Sequence, residues 1–177
     1  MTTTADDRNR PAAAALVRTP RTIFGPYITL GMPPRPAVET DDGRVPFTIT
    51  GRVLTGAGAP VGMTSIETTQ PEGWTRSFTG PDGVYTIRTV KPSAPAGRAP
   101  HLTVLVNTGR MIRPAVTCLY FPDEDNDTDE LLERLSPQQR ATMLARATDD
   151  GYQFDIHLTG QLETAFLGWP GLLDDAE

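Results

Sequence analysis

Thr48-Ile49-Thr50-Gly51-Arg52-Val53-Leu54, followed by Thr55-Gly56-Ala57-Gly58-Ala59-Pro60, decides the fold class. The first seven residues are rich in β-branched side chains, which fit a pleated, half-buried surface, and the next six are turn chemistry. A second strand is expected over 63–69, so the glycines between read as a hairpin turn. Gly56, Gly58 and Gly62 are spaced GxGxxxG and lead into β-type residues. A phosphate-binding loop needs GxGxxG opening a helix, whose N-terminus holds the anion.

Working outward, Gly80-Pro81-Asp82-Gly83 is a turn before Val84-Tyr85-Thr86-Ile87-Arg88-Thr89-Val90, where Val84, Ile87 and Val90 are imperfectly spaced but the residue types favour β. Further strands are expected over 102–106, 115–121, 152–158 and 162–167. About seven short strands separated by turns predict an antiparallel β-sandwich. One helical excursion interrupts them between 127 and 147. There Leu131, Leu132 and Leu135 form a short apolar stripe, and Ser136-Pro137-Gln138-Gln139 is a capping box with proline at the first helical position. Met143, Leu144 and Ala147 are expected to give this second segment its buried face. The predicted class is mainly β, with a short helical excursion and an extended N-terminal arm. Residues 1–21 read as a tail that is disordered or ordered by a partner, 22–44 as arm and linker, and 45–177 as the sandwich.

At 177 residues, 38% hydrophobic and 21% charged, the chain is sized for one domain. A net charge of -6 opposes nucleic-acid binding, which needs clustered Lys and Arg. No apolar run approaches the roughly 20 residues that cross a bilayer. The run 12–17 is too short for a signal peptide and is followed by Arg18 rather than a cleavage site. Cys118 is the single cysteine and has no disulfide partner. The expectation is a cytoplasmic protein whose partners are proteins and small molecules, with neither nucleic acid nor membrane.

Three features bear on chemistry. Asp123, Asp125, Asp127 and Asp129 alternate as in a calcium loop, but Thr128 and Arg134 stand where that loop needs glycine and glutamate, so an acidic helix start is expected. His101 and His157 lack a second ligand at H-x-H or C-x-x-C spacing and read as structural. Cys118 lies in an apolar run with no basic neighbour in sequence and reads as a core thiol. The residues alone describe a mainly β domain with no self-sufficient active site.

Several ordered blocks add a family signal. They are Thr22-Ile23-Phe24-Gly25-Pro26-Tyr27, Gly51-Arg52-Val53-Leu54 with Ala59-Pro60-Val61, Asp82-Gly83-Val84-Tyr85 through Arg88-Thr89-Val90-Lys91-Pro92, and Arg98-Ala99-Pro100-His101-Leu102. Leu119-Tyr120-Phe121-Pro122-Asp123-Glu124 and Tyr152-Gln153-Phe154-Asp155-Ile156-His157-Leu158-Thr159-Gly160 follow. From about residue 20 to about residue 167 this set resembles the intradiol ring-cleaving dioxygenases, in particular members that cleave protocatechuate (3,4-dihydroxybenzoate) with paired homologous sandwich subunits. In those, the β subunit holds Fe(3+) with two tyrosines and two histidines. The α subunit has lost these ligands but walls the pocket.

The ligand-bearing version has a tyrosine shortly after a Lys-Pro-Gly turn and an H-x-H after Arg-Pro-Ala. This chain has Lys91-Pro92-Ser93 followed by Ala94 and Pro95, and His101-Leu102-Thr103. The family's other tyrosine lies in a long loop after Trp-Gln-Ala-Asp, whereas Glu67-Thr68-Thr69-Gln70 here runs almost directly into Gly73-Trp74-Thr75-Arg76. Only His101 of the four ligands is left. The resemblance therefore implies an α-type subunit with no metal ligands and no catalytic residues of its own, Fe(3+) on a homologous β subunit, and O2 and protocatechuate as substrates, giving 3-carboxy-cis,cis-muconate.

It also implies substrate-binding roles. Gly25, Pro26 and Tyr27 of the arm are expected to line the partner's pocket, with the Tyr27 phenol donating to the substrate carboxylate; the alternative for Tyr27 is an aromatic staple on the sandwich. Arg110, one position displaced from the family's Ala-Arg-Gly turn, is expected to offset substrate charge, the alternative being a solvated surface cation. A rival reading is a carboxypeptidase-regulatory or transthyretin-like binding module, which shares the Gly-x-Gly-x-Pro-Val and Pro-Asp-Gly turns. Such a module needs neither the Gly-Pro-Tyr arm, nor the Tyr-Phe-Pro-Asp-Glu excursion, nor the closing Phe-Asp-Ile-His strand.

Overall fold

The computed structural model describes residues 28–109 and 111–168. The expected tail and the front of the arm lie outside them. β1 (Phe47–Leu54) buries Ile49, Gly51 and Val53 and exposes Thr50 and Arg52, the period of two that a one-sided strand requires. It pairs antiparallel with β4 (Val84–Thr89), Ile49 opposite Ile87. Gly83, at φ +73°, supplies the left-handed turn residue before β4. On its other side β1 pairs in parallel with β8 (Gly151–Gln153) and β9 (Ile156–His157), and β7 (Arg146–Thr148) adds to β8. The second sheet, in the order β3-β2-β5-β6, consists of β2 (Ser65–Gln70), β3 (Gly73–Phe78), β5 (His101–Asn107) and β6 (Ala115–Tyr120), all antiparallel. Ile49, Val53 and Ile87 from one sheet meet Ile66, Leu102 and Val104 from the other in the core.

The mainly β sandwich is as expected, with several local differences. Residues 152–158 form two short strands, because Gly51 has no room for a side chain. A Cβ there would overlap the Phe154 carbonyl, which also accepts the Tyr85 hydroxyl at 2.6 Å. Asp155 accepts the Arg52 amide at 2.9 Å, so the chain bulges before resuming at β9. Because β8 and β9 are parallel to β1, the sandwich is not wholly antiparallel. The 56–62 turn closes a bridge between Leu54 and Pro60, yet the strands it joins lie in opposite sheets. β4 points Tyr85, Ile87 and Thr89 inward, which is why Val84, Ile87 and Val90 had no clean period. Residues 162–167 make one bridge, Leu167 to Val116, instead of a strand. β3 and β7 are strands that were not expected. Among the described residues no helix is long and apolar enough to cross a membrane.

The helical excursion packs on the outer face of the second sheet. A 3-10 turn (Leu132–Arg134) precedes α2 (Pro137–Met143), whose capping box is present: Gln139 N donates to Ser136 Oγ at 3.3 Å and Ser136 N to Gln139 Oε1 at 3.0 Å. Leu132 and Met143 are buried against Cys118, Tyr120 and Ala99. Leu144 ends the helix and Ala147 is an exposed β7 residue, so neither extends the buried face as expected. The acidic run is not simply a helix start either. Asp129 is fully buried and accepts from Arg98 Nε (2.9 Å), Ala99 N (2.9 Å), Tyr120 Oη (3.1 Å), Leu131 N (2.9 Å) and Leu132 N (3.0 Å). Burial opposes its ionisation, but the Leu132 amide, Arg98 and the Ala99 amide outweigh it and hold the carboxyl below the usual carboxylate range.

The described part of the arm joins the two sheets along one edge. Arg35 exchanges both backbone hydrogen bonds with Arg76 of β3, each 2.8 Å, and Val38 N donates to Arg88 O of β4 at 2.9 Å. Val38 is buried, while Leu30 of the short α1 (Ile28–Gly31) is 80% exposed.

Two outcomes follow from this packing. Asp129→Ala strands the Arg98 guanidinium, the Tyr120 hydroxyl and three amides, and should lower unfolding free energy by about 3–5 kcal/mol in urea titration. Because the native pKa of Asp129 is depressed, its contribution is complete above the unfolded value of about 4 and is lost as pH falls through the native value. Acid titration of wild type should therefore be steeper below pH ~4 than that of Asp129→Asn. Gly51→Ala, which sets a methyl against the Phe154 carbonyl, should cost about 3 kcal/mol or more, whereas Tyr85→Phe should cost about 1–2 kcal/mol.

Candidate functional site

The sandwich has two ends, set by the direction of β5: one at His101, the other at Asn107. Seven residues of strand separate them by roughly 20 Å. At the His101 end, the imidazole Nδ1 lies 2.8 Å from the Ala99 carbonyl and the ring leans on Tyr120 with centroids 5.3 Å apart. Burial, joined by the Arg98 charge, lowers the His101 pKa and keeps the ring neutral. Arg98 hydrogen-bonds Tyr120 and Asp129 and approaches Cys118 Sγ at 4.0 Å. Burial works against the guanidinium charge, but Tyr120 and Asp129 strengthen it, while burial pushes both the Tyr120 phenol and the Cys118 thiol up. Cys118 is a core residue as expected, though Arg98 gives it a basic neighbour that sequence spacing hid.

These residues do not fit a ferric ion. One neutral histidine already engaged at Nδ1, a protonated phenol and a fixed cation offer no anionic ligand set, and Asp129 is consumed by five donors. Among the described residues no three His, Cys, Asp or Glu side chains converge to hold a metal. The neighbouring Lys91-Pro92-Ser93 turn is likewise occupied by internal pairs. Lys91 Nζ contacts Asp123 (2.9 Å), Glu124 (3.3 Å) and Tyr152 Oη (2.8 Å), and lies 4.2 Å from the Phe121 ring centroid. Glu72, in the two-residue turn between β2 and β3, takes Arg44 and both the amide and hydroxyl of Ser93. Burial opposes its charge, yet Ser93 and Arg44 hold its pKa down to about 2.

Gly25, Pro26, Tyr27 and Arg110, expected from the sequence as substrate-binding residues, lie outside the described residues. Their described flanks are informative. Met111 N donates to Thr108 O at 3.0 Å, so the β5–β6 turn that carries Arg110 sits at the Asn107 end, across the sandwich from His101. The arm at Arg35–Val38 runs antiparallel to β3 and parallel to β4, and therefore enters its edge from that same Asn107 end. Beside the turn is a largely apolar cleft of ≈ 580 Å³ between Pro60, Val61, Gly62, Thr108, Met111 and Leu158. Arg98, Tyr120 and Asp129 were missed as a unit. The available signal was Asp129 two and three residues before Leu131 and Leu132, the position from which a carboxylate caps a turn.

No family model matches the chain. It is 29% identical over 192 residues to the protocatechuate 3,4-dioxygenase alpha chain of Burkholderia cepacia, covering 85% of this chain and 97% of that one. Among solved structures it is similar to the dioxygenase domain of a dioxygenase carbohydrate-binding protein fusion from Streptomyces sp. SirexAA-E, with TM-score 0.60, 29% identity, and coverage of 83% of this chain and 99% of that one. The hydroxyquinol 1,2-dioxygenase of Pseudomonas putida DLL-E4 shares the fold, with TM-score 0.55, 20% identity, and coverage of 82% and 68%. The similarity thus runs through sequence and fold together: this chain resembles the protocatechuate 3,4-dioxygenase alpha chain and has the fold of the intradiol ring-cleaving dioxygenases.

Proposed function

We propose that the chain is the α-type, non-iron-binding subunit of a protocatechuate 3,4-dioxygenase. It would support O2-dependent intradiol cleavage of 3,4-dihydroxybenzoate to 3-carboxy-cis,cis-muconate in the cytoplasm, within an αβ hetero-oligomer. The observation that carries this reading is the similarity to the alpha chain over 97% of that chain's length. The Arg98–Tyr120–Asp129 cluster supports assigning Fe(3+) to a homologous β subunit, since its members are bonded to one another and leave no free anionic ligand beside His101.

Within this reading the chain's part is positioning and charge compensation. Gly25 and Pro26 hold an extended backbone, the Tyr27 phenol donates to the substrate carboxylate, and the Arg110 guanidinium offsets its charge. The arm and the Arg110 turn share one end of the sandwich, which favours their acting on one pocket. Leu30 is exposed and Gly31 has open space around it, which favours this stretch meeting another chain.

The test is oxygen uptake with 3,4-dihydroxybenzoate by the candidate iron-bearing β chain, expressed with and without this protein. Turnover should require this chain. Tyr27→Ala and Arg110→Ala should each lower kcat/KM about 10- to 100-fold, an effect of positioning and charge, while copurification is unchanged. A β chain equally active alone, or one that never copurifies with this protein, would replace the subunit reading with the carboxypeptidase-regulatory or transthyretin-like binding module.

A further inference from the structure

We propose that the outer face of the first sheet is a binding site for a dicarboxylate, gripped at its two ends by Arg52 of β1 and Arg88 of β4. The site stands apart from the subunit reading and uses none of the residues at the His101 or Asn107 ends.

The sheet register sets its spacing. β1 turns Thr48, Thr50 and Arg52 to the outer face, Thr48 opposite Arg88 and Arg52 opposite Val84. The two arginines are therefore one strand and four residues apart, roughly 14 Å between Cα atoms. Both line one concavity of ≈ 870 Å³, together with Thr48, Thr50 and Thr148, whose hydroxyls can donate to a ligand. That volume falls in the range of small-molecule sites and far exceeds what an inorganic ion needs.

The charge of both arginines is uncommitted. Asp155, the acid nearest in register to Arg52, accepts the Arg52 amide at 2.9 Å on one oxygen and the Gln153 side-chain amide at 3.0 Å on the other. Gln153 is held in turn by Arg146, so Asp155 is spent on backbone and carboxamide and not on the Arg52 guanidinium. Among the described residues neither Arg52 nor Arg88 has a carboxylate at ion-pair distance, whereas Arg44, Arg76, Arg98 and Arg140 each do. Their backbones are fixed nonetheless. Arg88 N donates to Pro36 O at 2.7 Å and its carbonyl accepts Val38 N at 2.9 Å, which with the Asp155 bond anchors both Cα atoms before any ligand arrives.

This arrangement selects for charge number. A guanidinium takes a carboxylate through two parallel N–H···O bonds, but one exposed pair adds little by itself, so a monocarboxylate that meets one arginine binds weakly. Two carboxylates on one short chain make the second contact intramolecular, and the rigid register favours ligands whose ends match the gap. Asp150 lines the same concavity and is exposed, so its carboxylate opposes an anion there.

The experiment is an NMR titration of the full chain at low salt, following the amides of Thr50, Arg52 and Arg88. The probes are adipate and hexanoate, which have the same chain length and differ by one carboxylate. Adipate should shift these amides saturably, with hexanoate about tenfold weaker or more. Arg52→Gln and Arg88→Gln should each reduce adipate to the hexanoate level with far-UV circular dichroism unchanged, since both side chains are exposed. Asp150→Asn should tighten adipate about threefold, as removal of a like charge predicts. Adipate and hexanoate binding alike, no saturable shift with adipate, or an adipate affinity that ignores both arginine variants overturns the proposal.

Discussion

One buried carboxylate organises everything that sits on the outer face of the second sheet. Asp129 draws its five donors from three places: the loop before β5, the end of β6 and the 3-10 turn. An unpaired carboxylate in such a place would be protonated or expelled. Here it stays ionised because each lone pair has a donor and the Arg98 charge neutralises it. Leu132 and Met143 bury against Cys118 and Tyr120 beside it, so an electrostatic anchor and hydrophobic packing hold the same face. Without it, a 3-10 turn and a seven-residue helix are too short to persist by propensity.

The same anchor fixes what this end of the sandwich cannot do. Arg98 and Asp129 satisfy each other, so neither is available to an ion, and His101 is held neutral with its Nδ1 already engaged. Arg98 completes the shell of Asp129, and Lys91 with Asp123 and Tyr152, and Glu72 with Arg44 and Ser93, fill the adjoining turn with mutually satisfied charges.

The sandwich was legible because its signals are local. β1, β2, β4, β5 and β6 each announce themselves by β-branched residues between glycine or proline turns, and the capping box at Ser136 is a four-residue pattern. What was hidden depends on partners distant in sequence. Residues 152–158 look like one strand, and only the proximity of Gly51, whose missing side chain admits the Phe154 carbonyl, breaks them into two. β3 was obscured because Trp74 and Arg76 are polar or amphipathic edge residues; Arg76 is held by Glu67 at 2.7 Å and both Arg35 and Arg76 lie 5.0 Å from the Trp74 ring. Ala147 was misassigned because alanine carries helix propensity wherever it stands, and Tyr152 opposite it decides the strand. Asp129 was read with its acidic neighbours, although its role is set by Arg98, thirty-one positions away.

The candidate site divides along the same line. Resemblance could name His101 and Arg110 in one list, but only topology shows that a seven-residue strand lies between them. The His101 end is filled with paired charges and aromatic contacts, which suits a scaffold. The Asn107 end has the apolar cleft, the turn flanking Arg110 and the side from which the arm enters. Within the proposed subunit reading, a closed end filled with paired charges would serve as the fixed base from which the open end acts. The two ends are joined through the β-sandwich core, whose packing rests on apolar side chains from both sheets.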